Sequence, residues 1–497
     1  MKIYIIFIII SSISLNSKLL DTESLLKIRR ISNPQISPSG KYTAVQISDV
    51  NIDSNSSTSK IYLINNNNKD TILLANAGKR NGSAYWWPGK DELVFLSDRS
   101  GSMQAWKISV NGGEARQLTN IEGGISNIKI SPKGTYLAYT KDVKLGKNLA
   151  EKYPKYSKAK AYIYDELMIR HWDKWRDEKW KHIFLLNLKN GDTTDIMEGE
   201  KFDSPLSPFG GRNQFNFSPD ESEIAYTCKK DDNYENNTNS EIYIYNIKQR
   251  KTENITSGMM GYDMDPIYSN DGAYLAFHSM ERPTYESDKN RLMIFNRKTK
   301  EISELTKNLD QPVSSTKWLA NSKELIFKAP SGFGTNTLYK INLKGEYTDL
   351  TSKRFEGNKQ IENLNDYGLR GFDISKDGSY MIASIENHTS PPELFYFDIS
   401  MVKSNSSISN LSDKIFQHSY FNTDYMKQFD NITTEKRIIK ASDGKDIHTW
   451  VVYPPNFDKN KKYPVLTYCQ GGPQQQISQY FSYGWSYMNF ASQGYII

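Results

Sequence analysis

The sequence predicts a mostly β protein: a seven-bladed β-propeller followed by the beginning of an α/β unit. Three observations carry this. A short strand–turn–strand pattern recurs seven times. Most neighbouring copies stand roughly 50 residues apart, the length of one four-stranded blade. Beyond about residue 431 the pattern gives way to a hairpin, an apolar strand, a helix and a new strand start.

The repeat reads "ISPSGKYTAV" (Ile36 to Val45), "WWPGKDELVF" (Trp86 to Phe95), "ISPKGTYLAY" (Ile130 to Tyr139) and "FSPDESEIAY" (Phe217 to Tyr226). It returns as "YSNDGAYLAF" (Tyr268 to Phe277), "WLANSKELIF" (Trp318 to Phe327) and "ISKDGSYMIA" (Ile374 to Ala383). Pro, Asp, Asn and Gly turn the chain between two antiparallel strands. The second of these strands alternates apolar with polar residues, as a half-buried strand does. A further strand of the type "EIYIYNI" (Glu241 to Ile247) comes next. A polar stretch then ends in "RQLT" (Arg116 to Thr119), "ENIT" (Glu253 to Thr256) or "SELT" (Ser303 to Thr306). One blade cannot bury both of its faces, so the repeats must close into a ring.

The spacing breaks once, to about 87 residues between the third and fourth copies. The excess, at about 141–181, is rich in Lys, Glu, Trp and Tyr and reads as an excursion from the blade with some helix. Its acidic residues, Asp165, Glu166, Asp173, Asp177 and Glu178, alternate with Trp172, Trp175 and Trp180. That mixture suits either a cation-binding corner or a solvated, salt-bridged cap on the ring.

Composition agrees with an all-β body. Among 497 residues there are 32 Tyr and 9 Trp, with 24% charged residues and a mean hydropathy of −0.65. The net charge of +6, with no long basic run, is too dilute for nucleic-acid binding. The two cysteines, Cys228 and Cys469, lie far apart in apparent strands and read as buried free thiols. No spacing suggests a metal, and no cofactor is expected. Lys2, the apolar run after it and "SSISLNS" read as a signal peptide over 1–17, giving an exported protein, periplasmic or secreted. After its removal no segment would span a membrane. The oligomeric state is not legible.

From about residue 431 the character changes. "EKRIIKASDGKDIHTWVVYPP" (Glu435 to Pro455) is a hairpin turning at Ser-Asp-Gly-Lys. "YPVLTYCQ" (Tyr463 to Gln470) reads as a strand covered on both faces, and "GGP" comes directly after it. "YFSYGWSYMNFASQGYII" then supplies a loop, a short helix ending near Gly494 and the first residues of a strand. That last strand, with nothing expected to cover it, reads as an exposed edge.

These stretches, with "LLKIRRISNPQISPSGKY" near the start and "IYDELMIRHWDKW" in the excursion, resemble the prolyl oligopeptidase family of serine peptidases, nearest its acylaminoacyl-peptidase and dipeptidyl-peptidase 5 type. The resemblance covers essentially the whole mature chain. It implies a propeller over 18–430 and, over 431–497, the N-terminal portion of an α/β-hydrolase domain. It implies a serine exopeptidase that cleaves short peptides from their N-termini without metal or cofactor. It gives the double-glycine turn, Gly471 and Gly472, a part in the oxyanion hole, with the Gly472 N–H foremost. A carboxylate must also hold the substrate's ammonium, and Asp173, Asp177 and Glu178 are the candidates.

One departure matters. The Gly-x-Ser-x-Gly elbow of this fold is absent; "GWSYM" (Gly484 to Met488) lacks the second glycine and a preceding strand. The family's Ser, Asp and His are all expected after residue 497, so the sequence as given is expected to be an inactive fragment. The six histidines read as packing or surface residues. The alternative reading is a non-catalytic exported propeller that binds a partner.

Overall fold

The computed structural model describes residues 18–165, 167–231, 234–331, 334–351, 367–399, 415–471 and 476–497. The expected signal peptide, Glu166 and Gly472 lie outside them. Seven four-stranded antiparallel sheets form the body, each built from one contiguous stretch with its strands in chain order. The blades begin with strands Arg30–Ile36, Asn81–Trp86, Ser126–Ile130, Phe215–Phe217, Asp263–Tyr268, Ser314–Trp318 and Gly368–Ile374. These line a central channel of about 910 Å³.

The sequence repeat has a local cause. In the first copy the Gly40 N–H donates to the Ser37 carbonyl at 2.9 Å, with Gly40 at φ +74°. The Ser37 hydroxyl accepts from the Tyr42 N–H at 3.1 Å. Ser131, Ser269 and Ser375 repeat the arrangement, with Tyr136, Tyr274 and Tyr380 as donors. Where glycine is missing, Glu221 takes the left-handed backbone at φ +65°. Its carboxylate accepts from the Ser131 hydroxyl (2.5 Å) and the Lys133 N–H (2.6 Å), tying blade 4 to blade 3.

The recurring threonine is equally specific. Thr119, Thr256 and Thr306 each accept, through the hydroxyl, the N–H of the second residue of their blade's third strand: from Ala105, Ile242 and Leu292 at 2.8–2.9 Å. Thr351 accepts from Leu338, the third residue of the strand Asn336–Asn342. A buried N–H is thereby satisfied where the outer strand has already turned away.

Each seam between blades has its own apolar cluster. Ala44, Leu63, Leu93 and Phe95 fill the first, and Leu292, Leu325, Phe327 and Tyr339 fill that between blades 5 and 6. The ring closes without strand exchange. Blade 7 meets blade 1 through Ile31, Val45, Ile47, Ile382 and Leu394. Polar ties reinforce the seam: the Ile36 N–H donates to Asp373 (2.7 Å) and the Tyr380 hydroxyl to the Gly40 carbonyl (2.6 Å).

The excursion in blade 3 leaves later and re-enters earlier than expected. Strands Tyr136–Lys144 and Lys179–Asn187 pair along their full length, so the detour itself is 145–178. It holds one helical turn, Leu149–Lys152, and a small hairpin, Arg170–His171 with Lys174–Trp175.

Residues ahead of the first blade pack elsewhere. Helix Thr22–Lys27 is capped by Asp21, and Leu20, Leu25 and Ile28 join Phe429, Phe481 and Met488 in one cluster. The C-terminal region is a small sheet. Hairpin strands Thr434–Lys440 and Asp446–Val452 pair in register. Val452 and Ile497 then exchange both backbone hydrogen bonds, at 2.9 and 3.0 Å. On the far side the Leu466 N–H donates to Ile496 (2.8 Å), with a parallel bridge at Val465. The last residues are therefore not the exposed edge the sequence suggested; they sit between the hairpin and the 464–466 segment. Among the described residues that segment is the outer strand, and it is exposed rather than covered on both faces. Cys469 is accordingly exposed, contrary to expectation, while Cys228 is buried as expected.

Candidate active site at the turn after Cys469

The chain leaves the 464–466 segment, passes Gly471, and is described again from Gln476. Residues 476–481 are pinned between the propeller and the short helix Tyr487–Ser492. The Trp450 indole N–H donates to the Ile477 carbonyl at 3.2 Å. The His388 N–H donates to the Gln479 side chain at 3.0 Å, and its imidazole Nε2 lies 3.2 Å from the Ser478 carbonyl. Glu386, buried at the end of a blade 7 strand, accepts from the Phe481 N–H (3.2 Å) and from Arg370 (3.1 Å). Burial raises the Glu386 carboxyl above its ordinary value, against the pull of Arg370.

Rings lock the same corner. His388 stands edge-on to Trp450 and Tyr487, with centroids 5.4 and 5.0 Å apart. Tyr468 meets Tyr487 at 5.5 Å, and the Tyr480 and Tyr487 hydroxyls are 3.2 Å apart. Burial and that contact push the Tyr487 phenol up, so it stays protonated and can donate. The helix is held by Ser486 at its N-cap and by Gly494, at φ +91°, just past its end. The segment that leaves the turn is thus fixed on scaffold, a precondition for aiming backbone N–H groups at a developing charge.

Gly471 itself is exposed. A side chain there would meet nothing within 4 Å, and its φ is not left-handed. Any demand for glycine at this turn therefore does not come from Gly471 as placed. Sequence reading found the turn but missed its clamp, His388, Trp450, Gln479 and Tyr487, because those residues are far apart in the chain.

The acidic candidates lie in the excursion. Asp173 is exposed at the hairpin tip and forms no ion pair among the described residues. Asp177 is taken by Lys179 at 2.7 Å. Glu178 sits at φ +59° with its carboxylate against Gly146. The tryptophan faces are largely filled by the chain's own cations: Arg170 lies over Trp175 (5.4 Å) and Arg176 over Trp180 (4.9 Å). Trp172 instead meets Phe209 and His171.

The histidines fit packing roles. His182 is buried between Asp195 (2.8 Å) and the Glu200 carbonyl. Burial works against its charge, but Asp195 outweighs this and raises its pKa. His418 contacts Asn66 across the closing seam at 3.0 Å.

Residues 23–161 match the TolB β-propeller domain family. The chain is 35% identical over 484 residues to dipeptidyl-peptidase 5 of Porphyromonas gingivalis, covering 96% of this chain and 67% of that protein. The dipeptidyl-peptidase 5 of Porphyromonas endodontalis is 32% identical over 486 residues, with 97% and 67% covered. The chain belongs to the prolyl oligopeptidase family of serine peptidases. Among solved structures of that family's architecture, the Pyrococcus horikoshii acylaminoacyl peptidase superposes with a TM-score of 0.73 at 15% identity, over 97% of this chain and 66% of that one. The chain spans about two thirds of the length of its family relatives. Propeller and partial α/β-hydrolase sheet are the shared fold.

Proposed function

We propose that the protein is a serine exopeptidase that removes dipeptides, or acylated residues, from the N-termini of short peptides outside the cytoplasm. The observation that carries the reading is the clamped turn. The sheet order is hairpin, then 496–497, then 464–466, and the segment after the turn, 477–481, is held by Trp450 of the hairpin and by His388 and Glu386 of blade 7. In this role the Gly471–Gly472 turn presents an N–H to the oxyanion while a serine hydroxyl attacks the scissile carbonyl. The amine leaves with the proton, and water then hydrolyses the ester to release the new C-terminus. The activity is that of the whole protein, so the test uses protein from the complete reading frame. Gly472→Pro removes the N–H and is expected to cut kcat for dipeptidyl chromogenic substrates by about 10²- to 10³-fold. Absence of hydrolysis in the parent, together with no labelling by a fluorophosphonate, would reject the reading.

For the substrate's ammonium, Asp173 is the best placed of the three carboxylates, because Asp177 is already paired and Glu178 is pressed on Gly146. Asp173→Asn should raise KM about 10-fold for substrates with a free N-terminus and leave N-acylated ones unchanged. Equal effects on both classes would remove Asp173 from this role.

A further inference from the structure

The charged groups lining the central channel do not cancel. Lys129, Arg212, Lys317 and Lys376 face Asp265 and Asp373. Asp373 is satisfied by Lys317 at 2.5 Å and by the Ile36 N–H. Asp265 lies 3.5 Å from His278, whose other nitrogen meets the Thr316 hydroxyl at 2.8 Å. Lys376 is exposed. Lys129 and Arg212, on adjacent blades, are left without a carboxylate.

Neither forms an ion pair among the described residues. The Lys129 ammonium donates to the Phe215 carbonyl at 2.6 Å and lies over the Phe215 ring. Arg212 spends Nη2 on Asn33 (3.0 Å) and stacks on Tyr85, while its Nη1 is buried with no hydrogen-bond partner. A buried guanidinium nitrogen without a partner is costly, and a charge-assisted bond to an anion relieves that cost. Burial, then the neighbouring Arg212, lowers Lys129 to about 7, with Lys317 adding to and Asp265 opposing the effect. The pair is short of negative charge.

We propose that Lys129 and Arg212 form a carboxylate-binding site in the propeller channel, filled by the C-terminal carboxylate of a short peptide or by a free small carboxylate. The peptide source rests on the peptidase reading; the site does not, because it is read by binding and not by turnover. Fluorescent tetrapeptides with free or amidated C-termini are titrated into this chain by anisotropy at low salt, with acetate and citrate as competitors. The free acid is expected to bind at least 10-fold tighter than the amide. Lys129→Met and Arg212→Met should each abolish that preference, and Lys129→Arg should keep it. Affinity should fall as pH rises above 7, where the ammonium is lost. If only acetate or citrate binds, with the same dependence on both variants, the site stands and its ligand is a free carboxylate. Equal binding of acid and amide without carboxylate competition, or a preference that survives both Met variants in protein whose circular dichroism and melting are unchanged, would overturn the proposal.

Discussion

The blades and the C-terminal sheet are made of similar strands but bury them differently. In the blades Phe95, Phe277, Phe327 and Phe397 are completely inaccessible, because the faces of the second and third strands meet the next blade. In the C-terminal sheet Ile438, Ile439 and Ile447 are about half exposed and Val465 is 67% exposed. Among the described residues Val452, Tyr487 and Ala491 make a small core there, and Phe481 and Met488 join a second with Leu20, Leu25 and Ile28. Backbone pairing therefore carries more of the ordering in one region, and side-chain packing between neighbours more of it in the other. Two substitutions sharpen the contrast. Phe327→Ala opens a void in the seam between blades 5 and 6 and should cost about 3–5 kcal/mol in urea unfolding. Ile438→Ala, in the hairpin, should change stability by less than about 0.5 kcal/mol. A small loss for Phe327→Ala would mean that the blades are not mutually buttressed.

That difference also explains what the sequence made legible. Seven blades were readable because each copy repeats a turn whose chemistry is local: serine hydroxyl, left-handed glycine, and a threonine that meets a particular N–H. The helix with Ser486 before it and Gly494 after it was readable for the same reason. The placement of the last residues was not. Whether "GYII" pairs with the hairpin, with the 464–466 segment or with both depends on non-local hydrogen bonds that no spacing announces. The turn at Gly471 was visible as a motif, but its support by His388, Glu386 and Trp450 joins residues up to 95 positions apart. The exposure of Cys469 was missed because a run of apolar residues reports propensity, not what covers it.

Within the ring, the closing seam holds a buried histidine, His418, against Asn66. Burial, with Lys69 nearby, holds His418 down at about 4. The unfolded chain takes up this proton near pH 6.5, and the folded chain refuses it until about 4. Stability is therefore lost as pH falls through that window, by up to about 3 kcal/mol from this group. His418→Gln should flatten the stability–pH slope between pH 6.5 and 4 by that amount. An unchanged slope in parallel urea titrations would show that acid sensitivity arises elsewhere.

A loss smaller than those of Phe327→Ala and His418→Gln falls on the segment that leaves the turn. Trp450→Phe keeps a ring against His388 but removes the indole N–H that holds the Ile477 carbonyl, a loss of about 1 kcal/mol. The blades do not depend on this bond, so the melting temperature of the propeller should hardly move. Amide exchange over 476–481 should quicken several-fold, because the bond anchors the segment leaving the turn. If exchange there is unchanged while the blades loosen, the clamp belongs to the propeller's stability and not to the positioning of the turn. If only the segment loosens, the hairpin's indole positions the residues that leave the turn, and His388 of blade 7 ties the same segment to the ring.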